Sequence, residues 1–199
     1  MPFYVSVFLP FAIMNMKLLA ILGSPRKGGN TDILTQRVLD GANEAGVETE
    51  VIALRSLKIA PCIACDKCWQ IEGRPCAFKD DMPYDAIAAA DILLFATPVY
   101  WYAPTAIMKA FMDRLVPANR PEGRHLLHGK QAILVSACEE KGPAASELLV
   151  RMFELGFEYL DVRVVGKVIA DDVGPAGAVL NKPEALEAAY NIGWSLSSS

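Results

Sequence analysis

Two hydrophobic rhythms alternate along the chain. Short runs rich in β-branched and aliphatic residues occupy 17–22, 47–54, 92–97, 131–136 and 162–170, and each reads as a buried strand. Between them, apolar positions recur at helical spacing over 32–45, 84–90, 105–115, 144–155 and 183–194. Regular alternation of continuous apolar strands with helices predicts an α/β domain: a doubly wound, parallel, five-stranded sheet with helices on both faces. Right-handed crossovers make 2-1-3-4-5 the economical strand order. Two connections, 56–82 and 116–130, are long for a compact domain, and loops of that length usually carry function or are disordered.

The first β–α connection reads Gly23-Ser24-Pro25-Arg26-Lys27-Gly28-Gly29-Asn30-Thr31. In an open parallel sheet, ligands bind at the carboxyl ends of the strands, and a helix N-terminus offers free N–H groups to an anion. Ser24, Asn30 and Thr31 add side-chain donors, Arg26 a charged fork, and Gly28 and Gly29 a backbone that can wrap closely. The loop lacks the Gly-Lys-Ser/Thr ending of a Walker A and the G-x-G-x-x-G of a dinucleotide fingerprint, so a single terminal phosphate is the expected ligand. The third strand runs into Pro98-Val99-Tyr100-Trp101-Tyr102-Ala103-Pro104. Three successive aromatics are costly to expose without a ligand, and their faces suit a flat ring. The predicted strand order sets this loop beside the phosphate loop. Phosphate and ring ends together imply FMN.

The segments Gly23-Ser24-Pro25-Arg26, Gly29-Asn30-Thr31, Asp80-Asp81-Met82, Thr97-Pro98-Val99-Tyr100-Trp101 and Lys109-Ala110-Phe111-Met112-Asp113-Arg114-Leu115 resemble the NADPH-dependent FMN reductase-like flavoproteins, and most of all the iron-sulfur flavoproteins among them. The resemblance runs from about residue 16 to 135. It implies a flavodoxin-like fold, a phosphate held by Ser24, Arg26, Asn30 and Thr31, and a flavin bordered by Pro98, Val99, Tyr100 and Trp101. Lys109 and Arg114 read as solvated or salt-bridged helix residues, with Asp113 the nearest partner for Arg114.

Cys62, Cys65, Cys68 and Cys76 form a C-x-x-C-x-x-C run with a fourth cysteine after a gap of seven. Four thiolates so spaced can wrap a [4Fe–4S] cluster, and the iron-sulfur flavoproteins carry a compact four-cysteine arrangement. Free or redox-active thiols and a zinc site are the alternatives, and Arg74-Pro75 restricts the backbone just before Cys76. Because the loop follows the second strand, it is expected to approach the ligand-bearing edge of the sheet. Cys138 reads as a small residue lining the flavin pocket or the core, and His125-x-x-His128 as surface.

Five cysteines, clustered and odd in number, suit a reducing, cytoplasmic setting better than a disulfide framework. A net charge of -4 offers no basic field for nucleic acid. Residues 1–16 are apolar but carry no Lys or Arg and fall short of a membrane span, so they read as an arm or a misassigned start, with a single domain over 17–199 and the cysteine loop 56–82 inserted in it. Glu139-Glu140-Lys141 beside Cys138 could suit an acid-base-thiol hydrolase, but neither a His partner nor a G-x-S-x-G elbow supports hydrolysis. The expected function is that of an FMN-dependent NAD(P)H reductase, passing electrons to a quinone, a flavin, another small acceptor or the cluster. A non-enzymatic carrier between redox-protein partners and a reductase without a cluster are the alternatives. Long loops that complete flavin pockets between neighbours point to a homodimer or higher homo-oligomer.

Overall fold

A computed structural model describes residues 16–70 and 76–198. The apolar extension falls outside them except for Met16, whose carbonyl accepts from Glu48 N–H at 2.9 Å. Five strands, β1 Lys17–Leu22, β2 Glu48–Ala53, β3 Ile92–Pro98, β4 Gln131–Ala137 and β5 Arg163–Ala170, pair in parallel in the order β2-β1-β3-β4-β5. Five helices connect or follow them: α1 Asn30–Glu44, α2 Tyr84–Ala89, α3 Ala106–Asp113, α4 Glu147–Tyr159 and α5 Pro183–Trp194. The arrangement is flavodoxin-like.

Period-two alternation divides the strands between two cores. Leu18, Ala20, Leu22, Ile92, Leu94 and Ala96 face α1 and α5. Leu19, Ile21, Leu93 and Phe95 face α2, α3 and α4, where Phe95 meets Phe111, Phe153 and Phe157 with ring centroids 6.4, 5.7 and 5.1 Å away. On the first face α1 and α5 approach backbone to backbone. A Cβ on Gly41 would lie 2.2 Å from Tyr190 O, and one on Gly193 would lie 2.0 Å from Val38 O.

Several boundaries differ from the periodicity. Helix α1 starts two residues early, at Asn30, because Gly29 is extended and supplies its N-cap; Asn30 and Thr31 therefore belong to the first turn. Helix α4 begins only at Glu147, after a 3-10 turn at Pro143–Ala145 that follows Gly142 at φ 97°, and runs on to Tyr159. The connection 116–130 is built from two more such turns, Val116–Asn119 and Pro121–Leu126.

Candidate functional site

Strand β1 delivers the chain to Gly23, whose N–H donates to Ala96 O of β3 at 2.7 Å and whose carbonyl accepts from Thr105 Oγ1 at 2.6 Å. Thr105 N–H in turn donates to Thr97 Oγ1 at 3.2 Å, and Thr105 Oγ1 caps α3 by accepting from Met108 N–H. Ser136 Oγ on β4 donates to Thr97 O at 2.7 Å. These buried hydroxyls lock the first loop to the ends of β3 and β4, which fixes the spacing between the loops that follow β1 and β3. Thr97 and Thr105 carry this geometry, and the sequence reading missed the coupling between them because it joins positions that are local in neither loop.

Within the first loop, Arg26 N–H donates to Ser24 Oγ at 3.2 Å and Gly28 N–H, at φ 68°, donates to Asp32 Oδ2 at 2.9 Å. Arg55, just past β2, holds the loop from outside: it pairs with Asp32 at 3.1 Å and donates to Ser24 O at 3.2 Å. No side chain caps α1, which leaves the first-turn N–H groups at this loop without a side-chain acceptor, an arrangement suited to an anion. The Asn30 side chain points the other way. Its Nδ2 donates to Val173 O at 2.6 Å and Pro175 O at 2.9 Å, while its Oδ1 accepts from Val179 N–H at 3.2 Å. Asn30 thus has its backbone, and not its amide, to offer a ligand, against the expectation of a side-chain donor.

Beyond Pro98 the backbone turns sharply. Tyr100 and Ala103 exchange N–H···O bonds of 2.8 and 3.0 Å around Trp101 and Tyr102, which both have positive φ, 52° and 60°. That is the geometry of a type I′ turn, which normally takes Asn-Gly; bulky side chains there store backbone strain of the kind that gathers at functional sites. Tyr102 Oη donates to Glu140 at 3.3 Å. Trp101 at the tip is 94% exposed.

One cleft of about 570 Å³, counting its open mouth, brings the two loops together across the carboxyl ends of the strands. Ser24, Arg26, Gly29, Asn30, Thr31, Pro98, Val99 and Tyr100 line it. Trp101 does not; it stands one residue beyond the wall. The opposite wall, Cys138, Glu139, Val173 and Gly174, comes from the ends of β4 and β5, and of these only Cys138 was legible beforehand. Burial first, then the nearby Asp171 and Glu140 carboxylates, push its thiol up, away from a reactive thiolate.

The cysteine loop lies elsewhere. None of its described residues lines the cleft, contrary to the expected approach to the ligand-bearing edge. It leans on the end of α3 and the turn after it: Arg120 donates to Cys68 O, and Arg114 donates to Ala60 O at 2.8 Å. Arg114 is buried, and its partner is Asp80, bidentate at 2.7 and 3.0 Å, not Asp113, which takes Lys109. Asp80 also accepts from Ala60 N–H, so one ion pair ties both roots of the loop to α3. Its carboxyl is held below the ordinary carboxylate value chiefly by the Arg114 hydrogen bond. Cys62 and Cys65 are exposed, Cys68 and Cys76 half-buried, and among the described residues no three metal-ligating side chains close into a group. Burial first, then the charge of Cys76, raises the Cys68 thiol. His128 meets Asp161 at 3.2 Å on the surface.

The described residues contain no helix long and apolar enough to cross a membrane. Among known proteins, an iron-sulfur flavoprotein of Methanocaldococcus jannaschii is 38% identical over 104 residues, about half of each chain (51% and 53%). A second iron-sulfur flavoprotein of that organism is 36% identical over 83% of this chain and 79% of its own. The solved NAD(P)H:quinone oxidoreductase from Methanothermobacter marburgensis superposes with a TM-score of 0.74 over 92% of this chain and 96% of its own, at 20% identity, a likeness of fold. The family model described as NADPH-dependent FMN reductase matches residues 16–172, which takes in the loops after β1 and β3, the cysteine loop and helices α1 to α4. The chain belongs to the NADPH-dependent FMN reductase family.

Proposed function

We propose that this chain is an FMN-dependent oxidoreductase of the iron-sulfur flavoprotein type, drawing electrons from NAD(P)H or a ferredoxin-like donor and delivering them to a small acceptor such as a quinone or a flavin. The observation that carries the reading is the single cleft in which an uncapped helix N-terminus and the Pro98–Tyr100 wall meet at the carboxyl ends of β1 and β3. Bound there, FMN supplies hydride and single-electron chemistry that no side chain of the chain offers. The residues have the work of holding it. Ser24, Arg26, Gly29 and the backbone of Asn30 and Thr31 take the phosphate, Pro98, Val99 and Tyr100 border the ring, and Trp101 flanks its open side. No acid–base pair is needed for that role.

Cys62, Cys65, Cys68 and Cys76 are assigned as ligands of one [4Fe–4S] cluster. What supports this is the donor set, the spacing of Cys62, Cys65 and Cys68 with Cys76 beyond them, and the iron-sulfur flavoproteins among the relatives. The setting implied is a reducing cytoplasm. A reductase without a cluster is the second reading, favoured by the exposure of Cys62 and Cys65.

Anaerobically purified protein distinguishes the two. Replacing any one of the four cysteines by Ala should remove iron, acid-labile sulfide and broad visible absorption while FMN stays bound; Cys138→Ala should leave the iron in place. Full FMN occupancy with no iron or sulfide, even after reconstitution, would leave the plain reductase. Failure to oxidise either NADH or NADPH would turn the assignment toward a carrier.

A further inference from the structure

Helix α1 carries an acid in the turn where an anion is expected. Asp32 is its third residue, the place of a capping-box carboxylate, and its Oδ2 reaches back to accept the Gly28 N–H at 2.9 Å. A carboxylate there suits an empty helix N-terminus, whose partial positive charge it offsets, but it opposes a second anion on the same turn. Arg55 answers that charge. It stands in the 3-10 turn Leu54–Ser56 that follows β2, pairs with Asp32 at 3.1 Å through one guanidinium nitrogen and donates through the other to Ser24 O at 3.2 Å. The two side chains are only 20% and 13% exposed, so their attraction is less screened than that of a surface pair such as Lys109 and Asp113. Ser24 in turn accepts the Arg26 N–H on its Oγ at 3.2 Å, and both of those residues line the cleft. Arg55 and Asp32 do not line it; they act on the loop from behind.

We propose that Arg55 is a positioning residue for the flavin phosphate, and that the preference of the cleft for FMN over unphosphorylated flavin depends on it through Asp32. The inference rests on the reading that FMN binds in this cleft with its phosphate at the head of α1. A phosphate monoester carries close to two negative charges at neutral pH. Beside an uncompensated carboxylate in the first turn it would meet like-charge repulsion, in a cleft where water screens poorly. Arg55 removes that repulsion in two ways. Its charge cancels that of Asp32, and its second nitrogen fixes Ser24 O, so that the Ser24 hydroxyl and the Arg26 backbone keep the places from which they line the cleft. Riboflavin ends in a neutral hydroxyl and feels little of this. The two arginines therefore divide the work: Arg26 meets the anion on the wall, and Arg55 keeps a competing acid from opposing it.

Calorimetric titration of the flavin-free protein with FMN and with riboflavin tests this. Arg55→Gln should weaken FMN binding by about tenfold or more, the scale of one uncompensated charge in the same helical turn, and leave riboflavin binding almost unchanged. Asp32→Asn should bind FMN at least as tightly as the parent chain, and Asp32→Asn placed in the Arg55→Gln chain should restore most of the lost affinity. Rescue by removing the acid is a result that an arginine serving only as a brace would not give. Equal losses for FMN and riboflavin, or a double variant no better than Arg55→Gln alone, would overturn the proposal and leave FMN in the cleft. A parent chain that binds neither flavin, or both equally well, would end the FMN reading and the proposal with it. If Arg55→Gln does not fold, Arg55→Lys decides. Its compact cation can meet Asp32 but lacks the fork that also reaches Ser24 O, so it should keep most of the preference for FMN; loss of that preference would show that the charge on Asp32 is not what Arg55 controls.

Discussion

Arg26 is the one cationic side chain on the cleft wall, and the phosphate reading is most exposed to test there. Arg26→Ala should weaken FMN binding by about 1 to 3 kcal/mol, the scale of a charge-assisted hydrogen bond, and leave riboflavin binding almost unchanged. Titrating both ligands checks it; equal losses would take Arg26 off the phosphate. Trp101 offers a different test, because its exposure and its left-handed backbone argue against any role in stabilising the fold. Trp101→Gly should relieve roughly 1 to 2 kcal/mol of backbone strain and raise the melting temperature of the flavin-free protein. If flavin affinity and potential fall in the same variant, the indole serves the ring; if both hold, the turn serves something other than flavin. The sequence showed three aromatics in a row but not which of them would face the cleft, because that depends on a turn type usually signalled by Asn-Gly and here formed without it.

At the scale of elements, strands were the most legible part, since a strand buried on both faces must be apolar throughout. Residues 17–22 match β1 without adjustment, whereas the edge strand β2, with Val51 half exposed, is less sharply bounded. Arg114 was illegible for a physical reason: its neighbour in sequence, Asp113, is an adequate surface partner, and only the return of the cysteine loop brings Asp80 to it across 34 positions. Removing one member of such a buried pair typically costs about 3 to 5 kcal/mol, so Asp80→Asn should destabilise the protein by that order and loosen the loop's roots before the cleft. The pair also has a pH signature. Asp80 has a folded pKa below the ordinary 3.8, so its contribution is fully present above that value and is lost as pH falls through the folded pKa. Acid unfolding of Asp80→Asn should therefore show a shallower loss of stability below about pH 4 than the parent chain. A parallel shift, with the slope unchanged, would mean that Asp80 and Arg114 are not coupled as the geometry indicates.

Taken whole, the molecule closes its sheet with a segment that the phosphate loop alone does not reveal. The family match ends at residue 172, yet Asn30 at the head of α1 bonds Val173, Pro175 and Val179, and α5 lies against α1 with only glycines between the backbones. The C-terminal stretch is thus a wall of the cleft as well as a cover for the first core, and Val173 holds its place through Asn30 at the head of α1 and through Cys138 O, which accepts its N–H at 3.0 Å. A glycine inside a helix ordinarily weakens it, and the purpose of Gly41 and Gly193 becomes visible only where the helices cross. Gly193→Ala should force that crossing apart, since the new methyl would sit 2.0 Å from Val38 O and backbone cannot yield as a side chain does. Overpacking of this kind costs about 1 to 3 kcal/mol or more. Denaturant unfolding should show the loss, and FMN affinity should fall with it, although Gly193 lines no part of the cleft, because the helix it would displace, α1, carries the Asn30 that holds Val173 and Pro175. A variant that unfolds more easily but binds FMN as tightly as the parent would show that the cleft does not depend on the α1–α5 joint and that β1, β3 and their two loops suffice to form it.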